Sequence, residues 1–171
     1  MPITLSDALK MAAPHMANPK SGDWGELAGI RILDGAVIAT DRYTAVRITV
    51  EGVPDAFVPA AIVKQGVISI ADNVATLKTG ATIALPDMAD VGDYPDVSRL
   101  FDQFKAHDAI PEVMSFGLDP KHVEKFSSKH LPARSGGLPR FEVGETTTKP
   151  FRVTFPGIPE FIGLLVPTRL G

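Results

Sequence analysis

The chain has 171 residues, 44% of them apolar, enough to bury a core and to exclude global disorder. Cysteine is absent, which removes disulfides, zinc fingers and thiol nucleophiles together. With 17 Lys and Arg against 20 Asp and Glu the net charge is -3, which argues against a simple DNA-binding domain and permits basic residues gathered on one face.

No apolar run is long enough for a transmembrane helix, and Met1 to Asp7 shows no basic region leading into an apolar stretch. The expectation is a soluble, cytoplasmic protein. Along the chain one coarse unit recurs three times, a short amphipathic helix followed by two or three strands. The class expected is α+β, with antiparallel sheets and the helices gathered on one face.

In the first unit Thr4 or Ser6 caps a helix that places Leu5, Ala8, Leu9 and Ala12 on one face, and Pro14 ends or kinks it. Strands follow at 29–33, 36–40 and 44–50, the first two joined by Asp34-Gly35, a strong two-residue hairpin signal. A second helix is expected over 58–66, with Pro59 near its start and Gly66 at its end, then strands at 67–70, 74–78 and 81–85. A loop rich in Asp, Gly and Pro runs from 86 to about 111 and holds the domain boundary. The expected parts are 1–101, a linker at 102–111, and 112–171. Beyond it come a strand at 113–118, a helix opened by Asp119 as cap and Pro120 in its first turn, a loop containing Gly136-Gly137, and strands near 141–143, 151–155 and 161–166.

The residues give little support to catalysis. His15, His107, His122 and His130 lack the spacing of a metal site, although His122 and His130, two turns apart, could share a helical face. Asp87, Asp90, Asp93 and Asp96 recur every three residues but lack the Gly and bidentate Glu of a calcium loop, and read as a solvated acidic stretch. Whether two of these carboxylates pair for hydrolysis is a matter of geometry. Gly136-Gly137 does not sit at a strand-to-helix phosphate cradle. No catalytic residue, metal or cofactor is expected.

Basic residues form a clearer pattern. On a continuous third helix Lys121, Lys125 and Lys129, at i, i+4 and i+8, would form one stripe, leaving Val123 and Phe126 to pack on a sheet. Lys64 lies late in the second helix and Lys10 within the first. Lysines at this density attract phosphates without reading bases, and no helix offers Asn, Gln and Arg in a row for base edges. Each is also an ordinary solvated charge when taken singly.

Several stretches together resemble the bacterial β-type DNA polymerase sliding clamp. Residues 37–46, Val-Ile-Ala-Thr-Asp-Arg-Tyr-Thr-Ala-Val, are similar to the family's ATDGHRLA strand-turn-strand. Residues 57–63 resemble the VPRK-type start of a clamp helix, 92–100 the GRFPDYRRVLP that closes the middle domain, and 164–170 the terminal VMPMRL. The order matches a middle domain followed by the second half of a last domain. The resemblance thus implies a sliding-clamp fold of about one and a half clamp domains, such as a phage genome could encode.

It further implies a DNA sliding clamp, a processivity factor without catalytic activity. As a homo-oligomeric ring it would encircle double-stranded DNA regardless of sequence, with Lys10, Lys64, Lys121, Lys125 and Lys129 facing the duplex. A hydrophobic pocket would take short peptide motifs from a replicative DNA polymerase and a clamp loader, walled by Leu27 on the first strand, Thr40, Tyr43, Pro95, Arg99, Leu100, Val166, Pro167, Thr168 and Arg169. Tyr43 stands where the family has His, Ala45 where it has a larger aliphatic and Thr168 where it has Met, departures that bear on which peptide is preferred. Family rings carry roughly twelve helix-sheet units and this chain supplies about three, so four copies related by a step of about 90° would close one. The alternatives are a clamp-derived peptide-binding adaptor that does not encircle DNA, a viral structural or decoration protein, and a small hydrolase built on the aspartate loop.

Overall fold

The computed structural model describes residues 2–20, 27–107, 116–132, 138–146 and 148–168. Helix α1, Leu5–Ala12, is capped by Thr4, whose hydroxyl oxygen accepts from the Asp7 amide at 3.1 Å. It buries Leu5, Ala8, Leu9, Met11 and Ala12 and passes into a single 3-10 turn, Ala13–His15, where Pro14 ends the α-helical ladder. Strands β1 (Gly29–Leu33), β2 (Ala36–Thr40) and β3 (Thr44–Thr49) follow as an antiparallel meander. Asp34 and Gly35 both take positive φ, 50° and 70°, as the expected two-residue hairpin requires.

The second unit begins differently from the sequence reading. Residues Ala56–Pro59 form a strand, β4, that pairs with β1, and helix α2 is one turn long, Ala60–Val63. Proline fits at the end of this edge strand because Pro59 has no ladder N–H to contribute. Strands β5 (Val67–Ala71), β6 (Val74–Leu77) and β7 (Thr82–Ala84) make a separate three-stranded sheet. The stretch read as a loop from 86 to 111 contains a 3-10 turn at Met88–Asp90 and helix α3, Ser98–Asp102.

Helix α4, Pro120–Val123, has the expected Asp119 cap, with the Lys121 amide donating to the Asp119 carboxylate at 2.9 Å. It does not continue as one helix. The chain narrows to a 3-10 turn at Glu124–Phe126, becomes extended at Ser127 with ψ 154°, and makes another 3-10 turn at Ser128–His130. Strands β8 (Arg140–Glu142), β9 (Phe151–Phe155) and β10 (Ile158–Leu165) complete the fold. Of the strand expected at 113–118, residues 113–115 lie outside the described residues, and Gly117 forms an isolated bridge to Thr168.

All strands but β5 to β7 form one seven-stranded antiparallel sheet in the order β4-β1-β2-β3-β10-β9-β8. The pairing of β3 with β10, from Phe161↔Ile48 to Leu165↔Thr44, joins the two parts of the chain through their backbones. Alternation along the strands gives the sheet two buried faces. Val37, Ala39, Val46, Ile48, Phe161 and Leu165 point to the face covered by α1, which also packs on β5 and so spans both sheets. Ile38, Ala45 and Leu164 point to the opposite face, under Tyr94, Val97 and Phe101.

Candidate functional site

The second face of the sheet carries an apolar cleft of about 270 Å³. Its floor is strand residues Thr40, Ala45 and Leu164, and Leu27, Val97 and Pro150 enclose it. One wall is the segment leading into α3, fixed from below by two aromatic contacts. The Tyr94 ring meets Phe57 edge-on with centroids 6.2 Å apart, Phe101 is buried, and the Arg47 guanidinium lies 5.0 Å from the Phe101 ring while bonding Asp102 at 2.7 Å. Burial pushes the Tyr94 phenol well above its ordinary range, so it stays protonated. Seated this way, the segment presents Pro95 and Leu100 to the cleft, and Leu100 remains 49% exposed. The opposite lip is Val166, 36% exposed, at the end of β10. Arg42 and Asp93 place one charge of each sign at the lining.

The turn between β2 and β3 shapes the third side. Arg42 takes the left-handed conformation, φ 79°, which a non-glycine residue holds only when its surroundings enforce it. Here the Asp41 carboxylate accepts from the Tyr43 amide (3.1 Å), the Thr44 amide (2.7 Å) and the Thr44 hydroxyl (2.9 Å). The Thr40 hydroxyl donates to the Thr44 carbonyl at 2.8 Å and accepts from the Arg42 amide at 3.1 Å. Lys125 bonds the other Asp41 oxygen. Burial by itself would raise the Asp41 carboxyl, but the Lys125 ammonium and the Thr44 donors outweigh it and hold it below the ordinary carboxylate range. The Val166 amide donates to the Tyr43 carbonyl at 2.9 Å, so the tail is tied to this turn.

Sequence-expected pocket residues divide accordingly. Leu27, Thr40, Pro95, Leu100 and Val166 line the cleft, Leu27 from the segment just before β1 rather than from a strand. Tyr43 does not; its ring is 56% exposed and stacks on His122 with centroids 4.7 Å apart and planes 12° from parallel. Arg99 stands in α3 away from the lining, Pro167 is buried, and Thr168 donates its amide to the Gly117 carbonyl instead. Arg169 lies outside the described residues. Val97, Pro150 and Leu164 were missed, and Ala45, noted from sequence as a departure from the family pattern, also lines the cleft. Ala45, Val97 and Leu164 lie inside the family-like stretches and Pro150 outside them, and all four converge through the β3–β10 pairing and the seating of α3.

On the α1 face lies a groove of about 490 Å³ ringed by Lys10, Lys64, Lys78 and His130. The three lysines are exposed and, among the described residues, form no ion pair. Lys78 was not expected here. It reaches the groove because its stem runs along Gly66, where an added Cβ would sit 3.0 Å from the Lys78 Cδ, and its amide donates to the Gly66 carbonyl at 2.9 Å. Partial burial, then the ammonium groups of Lys129 and Lys10 against a weaker opposing pull from Glu124, hold His130 below its usual value, as expected in a positive local field.

The expected stripe is not found. Because α4 ends at Val123 and the 3-10 turn after it gives way to extended backbone at Ser127, Lys121, Lys125 and Lys129 do not share one helical line, and His122 and His130 share no face. Lys125 is bonded to Asp41 and Lys129 to Glu124. Phe126 does pack on the sheet as expected, 1% exposed, and Val123 packs beside the core. The four spaced aspartates do not converge; Asp87 caps its own 3-10 turn, and no cluster of three possible metal ligands occurs among the described residues. Among the described residues no helix is long and apolar enough to cross a membrane.

No family model and no curated protein matches the chain. Its fold is that of bacterial DNA polymerase sliding clamps, as the motifs led us to expect. The sliding clamp of Bacillus subtilis superposes with a TM-score of 0.64 at 14% identity, over 98% of this chain and 62% of that one. The H. pylori β clamp in complex with diflunisal gives 0.64 at 15% identity, over 99% and 65%. The clamp of Bartonella birtlesii bound to griselimycin gives 0.59 at 13%, over 97% and 64%. This chain therefore spans just under two thirds of the length of these clamps.

Proposed function

We propose that the chain is a DNA sliding clamp, a non-enzymatic, cytoplasmic processivity factor that surrounds duplex DNA as a homo-oligomeric ring, four copies being the favoured count. In this reading residues 1–101 stand for a clamp's middle domain and 112–171 for half of its last. The cleft between β2, β10 and α3 takes short apolar motifs from a replicative polymerase and a clamp loader. One observation carries the proposal: exposed lysines, without ion pairs among the described residues, gather around α1 and the neighbouring three-stranded sheet, while the apolar cleft lies on the face of the seven-stranded sheet that α1 does not cover. Phosphates and peptides would then bind at once without competing.

Lys10, Lys64 and Lys78 are the DNA-facing groups in this reading, and Lys121 adds a fourth exposed charge. The Asp41 and Glu124 pairings of Lys125 and Lys129 are what favour the alternative, an adaptor of clamp shape that binds peptides without encircling DNA. Retention on closed circular DNA, released by linearisation, tests the first reading directly. Lys10→Glu, Lys64→Glu and Lys78→Glu together should lower the log–log salt slope by roughly three per protomer, if each ammonium meets one phosphate. Binding of a QLxLF peptide, abolished by Leu100→Asp, tests the cleft. Peptide binding with no retention on circles would select the adaptor, and a monomer by light scattering at micromolar concentration would sink the ring.

A further inference from the structure

We propose that Lys125 is a positioning residue for the peptide cleft, acting through Asp41 on the turn between β2 and β3, and not a contact to DNA. The inference rests on the peptide reading of the cleft given above.

Asp41 divides its two oxygens between two parts of the chain. Oδ1 accepts all three donors of its own turn, the amides of Tyr43 and Thr44 and the Thr44 hydroxyl. Oδ2 accepts from Lys125. The pair is largely withdrawn from water, with side-chain exposures of 21% for Lys125 and 12% for Asp41, so it is shielded from the screening that weakens surface pairs. The neighbouring Phe126 is buried, its ring over Gly163 on the interior strand β10, which anchors this stretch of chain beside the sheet.

Downstream of Asp41 the order continues into the core. Since the Thr44 hydroxyl gives its proton to the carboxylate, His15 Nδ1 must donate to the Thr44 oxygen, at 3.0 Å. His15 is fully buried and its Nε2 has no partner among the described residues, consistent with a neutral ring. Lys125, Asp41, Thr44 and His15 thus form one directed chain with a single proton arrangement. Three residues that line the cleft, Thr40, Arg42 and Thr44, hang on this chain, and one of them is held at positive φ. The Val166 lip joins the same turn through the Tyr43 carbonyl. A lysine outside the cleft lining therefore orients two of its sides.

The test uses the full chain and a fluorescent QLxLF peptide. Lys125→Met should weaken binding about tenfold, and Lys125→Arg, which keeps a donor for Oδ2, should restore it to within about threefold of wild type. Asp41→Asn added to Lys125→Met should weaken binding no further, because the two act as a unit. Hydrogen exchange at the Tyr43 and Thr44 amides should quicken about tenfold in Lys125→Met while the Leu77 amide is unchanged, a pattern that general destabilisation would not give. Retention on circular DNA should match wild type in Lys125→Met. Peptide affinity and turn protection equal to wild type would overturn the proposal, as would loss of retention on circles without loss of peptide. If wild type itself binds no peptide, the cleft reading falls and this inference with it, whereas wild-type binding insensitive to Lys125 removes only the inference.

Discussion

Replacing Gly163 by alanine sets two effects against each other. Glycine inside a strand costs roughly 0.5–1 kcal/mol relative to alanine, so backbone propensity alone forecasts a gain. Gly163, however, lies between Val46 of β3 and Val153 of β9, and a Cβ there would sit 2.3 Å from Phe126 Cε1 and 3.2 Å from Cζ. The ring has little room to retreat. It is 1% exposed, 4.7 Å from the His15 ring and 6.4 Å from Phe161 between centroids. Overpacking of this kind costs about 1–3 kcal/mol, which exceeds the propensity gain. Gly163→Ala should therefore destabilise by about 1–2 kcal/mol and lower Tm by roughly 2–8 °C for a chain of this size. Phe126→Leu, which trims the obstructing ring, should cost less on the Gly163→Ala background than on wild type. Urea titrations of the four proteins give the coupling, provided the slope stays constant and the midpoints move. A stabilised Gly163→Ala, or effects additive within about 0.5 kcal/mol, would falsify the claim that β10 keeps a glycine to seat Phe126.

Three further outcomes follow from the same geometry. His15 is buried beside Lys125 and its pKa is lowered from 6.5 to about 3, burial being the larger cause. The unfolded chain therefore takes up that proton first, and stability falls as pH drops from about 6.5 toward 3, by roughly 2–3 kcal/mol at about pH 4.5. His15→Gln should flatten that part of the curve in a series of melts, and coincident slopes would refute the assignment. Thr4→Ala removes the cap of α1 and should cost about 1 kcal/mol in urea while leaving peptide affinity alone. Leu100→Asp and Val166→Asp change exposed positions, so each should abolish peptide binding with stability kept within about 0.5 kcal/mol, and a variant that still binds would place the peptide elsewhere.

What could be read from sequence follows the range of the interactions involved. The meander of β1 to β3 was legible because period-two alternation and Asp34-Gly35 are local signals, and the same holds for β5 to β7 and β9. Pro59 misled because proline begins helices and also ends edge strands, and only the pairing with β1 chooses between them. The lysine stripe assumed that a four-residue spacing means one face. That inference holds only along an unbroken helix, and Ser127 breaks this one in favour of lodging Phe126 in the core. At the cleft, Thr40, Pro95 and Val166 were legible through family motifs, whereas Pro150 and Leu164 became neighbours of Leu100 only through non-local packing. Tyr43 shows the limit of carrying a motif across. It keeps the turn position, yet its ring leaves the cleft to stack on His122.

Joining β3 to β10 has a consequence for biosynthesis. Residues 158–165 are translated about a hundred positions after 44–49, so at typical elongation rates the β3 edge waits roughly 5–20 s for its neighbour. During that interval a strand rich in β-branched residues presents free amides and carbonyls on the ribosome, where another nascent chain could dock. Arg47, midway along β3, is the charge best placed to discourage such pairing until β10 arrives and the Arg47 head group settles on α3. In the folded chain the same residue braces the cleft wall through Phe101 and Asp102.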